Sequence, residues 1–205
     1  MVVVITDENR AEYKQELAAM HRHRKQVFVD FLKWNIPVVD EIYEIDQFDN
    51  SDAVYLVVLD PDSRKHLGSI RLIPSTKPHI LESMFPFLCE DAVPVAEDIW
   101  EITRLCTAPN APNPKLVLGQ LATGLMEFGL LYGVRKFTFV THMGALSQVL
   151  AFGWDCEPLG LPQKVSGDEI GAMLVNVDTQ SLHMCRKKLG TQKPLLRLPT
   201  AARAA

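Results

Sequence analysis

One arginine, Arg24, stands on the apolar stripe of the first predicted helix. Apolar side chains recur there at spacings of three and four residues from Tyr13 to Phe31, and the same rhythm between Met20 and Val27 passes through Arg24. A buried guanidinium without an anion is costly, so the fold must bring it a carboxylate or a ligand, unless the side chain extends to the helix edge. This helix alone leaves both an internal ion pair and a binding site open.

The composition is that of a globular protein. Of the 205 residues, 47% are hydrophobic and 22% are charged, which is enough for a large core. No stretch approaches the roughly 18 apolar residues of a membrane span, and the first residues have neither the basic region nor the cleavage site of a secretory signal. We therefore expect a cytoplasmic protein with no membrane span.

Charge is distributed unevenly along the chain. Residues 1–134 hold 12 Lys and Arg against 20 Asp and Glu, whereas residues 135–205 hold 9 against 5. The acidic part argues against a nucleic-acid partner. The basic part either attracts an acidic partner or forms an ordinary solvated face.

Cysteine and histidine spacing predicts no metal site. The four cysteines lie far apart, without the paired spacing of a zinc site or a redox dithiol. His21 and His23 are close in sequence, but two residues apart on a helix they diverge. We expect buried free thiols and no bound metal.

Periodicity and turn residues predict an α+β fold. The expected architecture is a mixed, mostly antiparallel sheet with helices on both faces, in one domain over residues 1–190. Residues 191–205 are expected to form a mobile tail. The predicted elements are a helix from Asp7 to about residue 32, a hairpin of strands 53–59 and 67–73, a strand at 98–106, a helix at 115–132, a strand at 135–141, a helix at 145–152, a strand at 172–177 and a helix at 179–189.

Further charged residues occupy positions where burial is expected. Strand alternation places Arg71 on the same face as Leu67 and Ile73. Glu101 lies in an apolar strand with Arg104 three residues later. Since strict alternation puts these two on opposite faces, they share a site only at a bulge or at the strand end.

An acidic loop over residues 38–52 contains Asp46 and Asp49, whose carboxylates either hold a cationic group or are merely solvated. Three arginines, two aspartates and a glutamate near predicted burial are many for a purely structural network. Together they suggest a zwitterionic or multiply charged substrate.

Several short motifs follow one another in a characteristic order over about the first 160 residues. They are Arg24-x-x-Val27-Phe28, Leu32-x-Trp34, Asp46-x-Phe48-Asp49, Gly68-Ser-Ile-Arg71-Leu-Ile-Pro74, Phe85, Trp100-Glu101-Ile-Thr-Arg104, Phe139-Val-Thr141 and Phe152-Gly-Trp154. This pattern resembles that of the acyl-homoserine-lactone synthases, the bacterial autoinducer synthases of quorum sensing. Two departures are His23, where leucine is more usual, and the segment Ala145–Phe152, which lacks an arginine often found there.

The resemblance implies an N-acetyltransferase-like fold with a V-shaped opening in the sheet for the acyl chain. The chain lacks a clear Q/R-x-x-G-x-G/A loop, the pyrophosphate cradle of acyl-coenzyme A enzymes, and Gln120-Leu-Ala-Thr-Gly124 matches it only in part. This favours an acyl carrier protein as donor, which the basic second half of the chain would meet.

The family reaction joins S-adenosylmethionine, a substrate and not a cofactor, to an acyl thioester and releases methylthioadenosine and an acyl-homoserine lactone. No cofactor is expected. The resemblance implies Glu101 as the general base, Arg24 or Arg104 as the residue that orients the carboxylate, and Arg71 as a residue that orders the acids. In the same way it implies Asp46 and Asp49 for the amine or sulfonium, Phe28 and Trp34 for the adenosine and cation, and Phe85, Met126 and Thr141 for the acyl chain.

Two other functions fit the same residues. One is a coenzyme A-dependent N-acyltransferase that does not form a lactone, and the other is a non-catalytic ligand-binding protein on the same fold. The missing phosphate loop counts against the former. The retained Glu101 and three arginines count against the latter.

Overall fold

The structure is a computed structural model and describes residues 1–198. Strands and helices follow each other in a mixed order, as expected for the α+β class. The strands are β1 (Val2–Ile5), β2 (Val38–Val39), β3 (Tyr43–Glu44), β4 (Val54–Leu59), β5 (His66–Pro74), β6 (Ile99–Thr107), β7 (Lys136–His142), β8 (Asp155–Pro158), β9 (Gln163–Val165), β10 (Asp168–Asn176) and β11 (Leu196–Arg197). The α-helices are α1 (Lys14–Arg24), α2 (Ile80–Met84), α3 (Pro114–Tyr132), α4 (Met143–Leu150) and α5 (Thr179–Leu189), with 3₁₀-helices at Arg10–Tyr13 and Pro86–Leu88 and a π-helix at Lys25–Phe31.

Contacts within the chain group its residues into two compact units, and the single domain expected over residues 1–190 stays a prediction. The first unit comprises residues 1–71, 104–124 and the segment from residue 194, and the second comprises residues 72–103 and 125–193. Three of the four changes from one unit to the other fall inside β5, β6 and α3, so no linker marks them in the sequence, and the fourth lies between α5 and β11.

The first unit contains a mixed sheet in the order β11-β1-β4-β5-β6. β1 and β4 are antiparallel, with Val2 opposite Val58, and alternate residues of both strands enter the core. Leu17 and Met20 of α1 pack against this face of the sheet. The hairpin of β4 and β5 is confirmed, and its turn is closed by the Asp60 N–H, which donates to Lys65 O at 2.9 Å.

The first helix changes its winding after α1. In the π-helix Lys25–Phe31 the hydrogen bonds span five residues, and the Leu32 N–H donates to Val27 O at 2.9 Å. Phe28, four residues after Arg24, continues the buried stripe and is 4% exposed. The wider turn rotates Phe31 away from this face, and its side chain is 79% exposed, so the expectation that Phe31 lies on the stripe was wrong.

The second unit contains a mixed sheet in the order β5-β6-β7-β10-β8, with β9 paired to β10. β7 and β10 are antiparallel over the whole length of β7. β6 and β7 are parallel and pair only from Ile99 with Lys136 to Glu101 with Thr138. Leu81, Leu88, Ile170 and Ala172 form an apolar cluster in this unit.

The segment after residue 190 contains a strand, in contrast to the mobile tail expected there. β11 pairs in parallel with Val2 and Val3, and the Val2 N–H donates to Leu195 O at 3.1 Å. The exposed edge of β1 supplies backbone groups that need partners, and residues 196 and 197 meet that need. Residues 199–205 of the expected tail lie outside the described residues. Within residues 1–198, no helix combines the length and apolarity that crossing a membrane requires.

Candidate functional site

Arg24 lies in the interior of the first unit and pairs with two carboxylates. Its side chain is 1% exposed, and its Nη1 and Nη2 donate to Oδ1 and Oδ2 of Asp49 at 2.7 and 2.9 Å. The guanidinium also contacts the carboxylate of Glu44, which has no exposed surface. The anion that the sequence required for Arg24 is therefore supplied by the protein itself.

Two further arginines extend this pairing into a closed ring. Arg71 donates to both carboxylate oxygens of Asp46 at 2.6 and 3.0 Å, and its Nη1 lies 2.9 Å from Oδ2 of Asp49. Arg104 donates to Glu44 at 3.0 Å and to Asp46 at 2.7 Å. Each arginine thus bridges two carboxylates. This charge ring consists, in order, of Arg24, Glu44, Arg104, Asp46, Arg71 and Asp49.

The charge ring balances three positive and three negative groups. Burial raises the pKa of Asp49, but hydrogen bonds and charge from Arg24, together with the charge of Arg71, outweigh burial and hold the pKa well below its usual range. Burial lowers the pKa of Arg24 and of Arg71, but the aspartates outweigh it and the net shifts are upward. The three carboxylates lie close enough to share a cation, yet guanidinium groups already pair with them. The charge ring therefore pairs three guanidinium groups with three carboxylates inside the protein.

The acidic loop holds its two aspartates through its own backbone. The Phe48 N–H donates to Oδ1 of Asp46 at 2.9 Å, and the Asp46 N–H donates to Oδ2 of Asp49 at 2.9 Å. The Tyr55 hydroxyl on β4 also donates to Oδ1 of Asp49 at 2.9 Å. The loop therefore holds the carboxylates of Asp46 and Asp49 in fixed positions, which a solvated turn would not do.

Glu44 is the member of the charge ring that sequence reasoning missed. It lies in β3, a two-residue strand inside the segment expected to be an acidic loop. Two residues apart in an extended chain, Glu44 and Asp46 point to the same side, and this spacing was the available signal. Without knowledge of the short strand, Glu44 could not be told apart from the solvated acids around it.

Arg104 differs from the other two arginines in backbone and exposure. Its φ of 52° lies in the left-handed region, where a non-glycine residue is uncommon, and this interrupts the alternation of β6. Its side chain is 9% exposed, against 1% for Arg24 and 0% for Arg71. Arg104 is thus the arginine of the ring most accessible to a ligand.

Two aromatic rings lie beside Arg104. The Arg104 Cζ is 5.7 Å from the centroid of the Phe28 ring, and Phe28 stacks on Trp34 at a centroid distance of 4.8 Å. The first unit therefore brings together the residues predicted to bind S-adenosylmethionine, namely Arg24, Phe28, Trp34, Asp46, Asp49 and Arg71, along with Arg104.

Glu101 belongs to the second unit and has no exposed surface. Its two carboxylate oxygens accept hydrogen bonds from the Ile80 and Leu81 N–H groups at 2.8 and 2.6 Å. These amides are the first two of α2, whose free N–H groups attract an anion. The carboxylate is therefore oriented by neutral backbone donors, in contrast to the cation-bound acids of the charge ring.

The three residues predicted for the acyl chain also lie in the second unit. Phe85 follows α2 and packs, half-buried, against the cluster of Leu81 and Ile170. Met126 in α3 has no exposed surface, and the Thr141 hydroxyl on β7 donates to its neighbour's carbonyl at 3.4 Å. Their role in acyl binding stays a prediction.

A pair of histidines links α1 to β5 in the first unit. Nδ1 of His23 and Nδ1 of His66 are 2.9 Å apart, so one ring donates and the other accepts. Burial, helped by His23 and His21, lowers the pKa of His66 to about 3. The pair is therefore neutral at physiological pH, and it occupies a position where the sequence departs from the resembled family.

Comparison with known proteins decides the family. The family model described as autoinducer synthase matches residues 8–185 of this chain. The chain belongs to the autoinducer synthase family. As a member it is an enzyme, an acyltransferase of the acyl-homoserine-lactone synthase type, as the resemblance predicted.

Relatives of this synthase support the same assignment. It is 30% identical to the isovaleryl-homoserine lactone synthase of Bradyrhizobium diazoefficiens, over 100% of this chain and 94% of that protein. It is similar to BjaI, a coenzyme A-dependent acyl-homoserine lactone synthase solved with S-adenosylmethionine and isopentyl-coenzyme A, with a TM-score of 0.90, 27% identity and coverage of 97% and 93% of the two chains. An acyl-coenzyme A N-acyltransferase from Pseudomonas aeruginosa shares the fold, with a TM-score of 0.57, 15% identity and coverage of 85% and 97%.

Replacing Glu44 of the synthase by glutamine should destabilise the protein strongly. Loss of one carboxylate leaves Arg24 and Arg104 short of an anion inside the protein, a change that typically costs about 3–5 kcal/mol of unfolding free energy. Urea unfolding of Glu44→Gln measures this loss. Glu41→Gln, at an exposed acid three residues away, is the matched control and should change stability by less than about 0.5 kcal/mol. Equal stability of the two variants would contradict the charge ring.

Acid should destabilise the synthase through His66. Its pKa is about 3 in the folded state against about 6.5 when unfolded, so the unfolded chain binds more protons below pH 6.5. Stability falls from pH 6.5 towards pH 3, and this group accounts for about 2 kcal/mol between pH 8 and pH 5. In His66→Gln that part of the pH dependence should vanish, whereas His183→Gln, at an exposed histidine, should follow the wild type. Parallel stability curves for wild type and His66→Gln would refute the assignment.

Proposed function

We propose that this synthase acylates the amine of S-adenosylmethionine from an acyl thioester and then closes the homoserine lactone ring. The observation that carries the proposal is the charge ring beside the Phe28–Trp34 stack. A substrate with a carboxylate, an ammonium and a sulfonium matches a surface of alternating charges flanked by aromatic rings.

The members of the charge ring take different roles in this proposal. Arg24 and Arg71, with almost no exposed surface, hold the acids in place and do not contact the substrate carboxylate. Arg104, the most exposed of the three, orients that carboxylate. Asp46, 5% exposed, holds the amine or the sulfonium, whereas Asp49, 1% exposed, keeps Arg24 and Arg71 in place. Phe28 and Trp34 cover the adenosine.

The acyl transfer needs a neutral amine. The substrate ammonium loses a proton, its nitrogen attacks the thioester carbonyl, and the tetrahedral intermediate loses a second proton before the C–S bond breaks. We assign Glu101 as the base, because its carboxylate is buried and held in one orientation by two amide groups. The departing thiolate takes up a proton and leaves as a thiol.

Lactone formation follows without a further base. A carboxylate oxygen of the acylated substrate attacks the carbon next to the sulfonium, and methylthioadenosine leaves as a neutral thioether. The substrate carries its own leaving group. The protein therefore only has to hold the methionyl part of the substrate in a bent conformation, in which the carboxylate oxygen reaches the carbon next to the sulfonium. Arg104 serves this step by orienting the carboxylate.

We propose a short, branched acyl-coenzyme A as the donor. Similarity to BjaI, solved with isopentyl-coenzyme A, and to an isovaleryl-homoserine lactone synthase supports this choice. The missing pyrophosphate loop and the exposed Lys187 and Lys188 of α5 favour instead the acyl carrier protein expected from the sequence. A direct comparison of the two donors therefore tests this part of the proposal.

Glu101→Gln should abolish most of the activity of the synthase. Loss of a general base typically slows turnover by about 10²–10⁴-fold. Incubation with S-adenosylmethionine and isovaleryl-coenzyme A, with lactone and methylthioadenosine measured together by mass spectrometry, gives the rate. The exposed Glu97→Gln is the control and should keep wild-type turnover.

This assay also separates the competing functions. Acylation by the wild type without methylthioadenosine would establish a non-lactonising N-acyltransferase, and binding without turnover would establish a non-catalytic protein. Full activity of Glu101→Gln would remove Glu101 as the base.

The donor preference should favour coenzyme A. We expect kcat/KM for isovaleryl-coenzyme A to exceed that for isovaleryl-carrier protein by about tenfold or more, a difference of about 1.4 kcal/mol. The opposite order would contradict the proposed donor. In that case the double variant Lys187→Glu, Lys188→Glu should raise the KM for the carrier-bound substrate and leave the KM for S-adenosylmethionine unchanged.

A further inference from the structure

His79 is a fully buried histidine that stands immediately before α2. Its side chain has no exposed surface, and its Nδ1 lies 2.8 Å from the Lys77 carbonyl oxygen. Because a carbonyl oxygen only accepts, Nδ1 carries the proton and donates it. Within residues 1–198, Nε2 is buried without a hydrogen-bond partner. An apolar side chain of similar size would avoid this unpaired nitrogen, so the Nδ1 hydrogen bond is what distinguishes histidine at this position.

The segment from Ser75 to Leu81 is fastened to β6 at both ends. At its start the Ser75 N–H donates to Ile99 O at 2.9 Å. At its end the Ile80 and Leu81 N–H groups donate to the Glu101 carboxylate at 2.8 and 2.6 Å. The position of these two amides therefore depends on the conformation of the residues between the two attachments.

His79 joins the turn in the middle of this segment to α2. The turn, residues 76–78, is exposed and lies outside regular helix or strand, and the Lys77 N–H closes it by donating to Pro74 O at 3.0 Å. The His79 side chain donates to Lys77 O, and the His79 carbonyl accepts from the Ser83 N–H of α2 at 3.0 Å. His79 is thus hydrogen-bonded to the turn on one side and to α2 on the other.

We propose that His79 is a positioning residue for Glu101. Its Nδ1 hydrogen bond fixes the turn, and the turn fixes the Ile80 and Leu81 amides. These amides keep the Glu101 carboxylate in the orientation in which it takes up the amine proton. Neither nitrogen of His79 exchanges a proton with the substrate. This role rests on the proposed function, because it needs Glu101 as the base.

Two nearly isosteric substitutions of His79 separate the effect of the hydrogen bond from that of the ring volume. The side-chain amide of His79→Asn places a donor where Nδ1 stands, whereas His79→Leu has no donor. We expect kcat of His79→Leu to fall by about tenfold to 10²-fold, since a small displacement of a catalytic group costs that much, with KM for S-adenosylmethionine and for isovaleryl-coenzyme A within about twofold of wild type. His79→Asn should keep kcat within about threefold of wild type.

A double variant tests whether His79 acts through Glu101. In Glu101→Gln the base is absent, so adding His79→Leu should lower kcat no further. The readout is the residual lactone formation, measured by mass spectrometry. A general distortion of the active site would instead multiply the two losses.

The matched control is Thr123→Val, at another fully buried side chain that donates to a backbone carbonyl, Gly119 O, at 2.8 Å. It should keep wild-type kcat. Glu82→Gln should keep it as well, since Glu82 Oε2 lies 3.7 Å from Nδ1 of His79, beyond hydrogen-bond distance. If His79→Leu does not fold, as judged by thermal melting, His79→Phe, which also lacks the donor, takes its place with the same expectation.

Three results would overturn this role. They are a kcat of His79→Leu within about threefold of wild type, equal losses of kcat in the Leu and Asn variants, and losses that multiply in the double variant. Failure of the proposed function itself is distinguishable, since the wild type would then release no lactone from any donor. Full activity of Glu101→Gln would remove the base, and the role of His79 with it. An active wild type, an impaired Glu101→Gln and a fully active His79→Leu reject the role of His79 alone.

Discussion

The charge ring is the interaction on which the first unit depends. It joins α1, the acidic loop, β5 and β6, which lie far apart in the sequence, through ion pairs between three arginines and three acidic residues. A buried ionic network is a poor device for stability alone, since well-packed apolar side chains often do as well. Its retention fits a surface whose task is to present alternating charges to a charged substrate.

The sequence predicted the structure correctly where burying a charge without a partner would cost much free energy, or where a local pattern was clear. Arg24 on an apolar stripe required an anion, and the protein supplies two carboxylates. The hairpin of β4 and β5 followed from alternation and turn residues, and α5 begins and ends where its pattern predicted. In these cases a local pattern and a physical requirement pointed to the same structure.

The misses have physical causes as well. A π-turn inside a helical pattern leaves no compositional signal, so the exposure of Phe31 could not be predicted from the sequence. Glu44 was hidden because two-residue strands carry too little periodicity. The two amides that hydrogen-bond Glu101 belong to α2, a helix of five residues. No side-chain pattern in the sequence predicts hydrogen bonds between these backbone groups and Glu101.

A crystal structure of the synthase with S-adenosylmethionine would show whether the charge ring binds the substrate. We expect the substrate carboxylate within about 3.2 Å of the Arg104 guanidinium, with Arg24 still paired to Glu44 and Asp49 and the Phe28–Trp34 stack against the adenosine. A substrate carboxylate bound to Arg24 in place of Asp49, or a substrate bound away from the charge ring, would contradict this expectation.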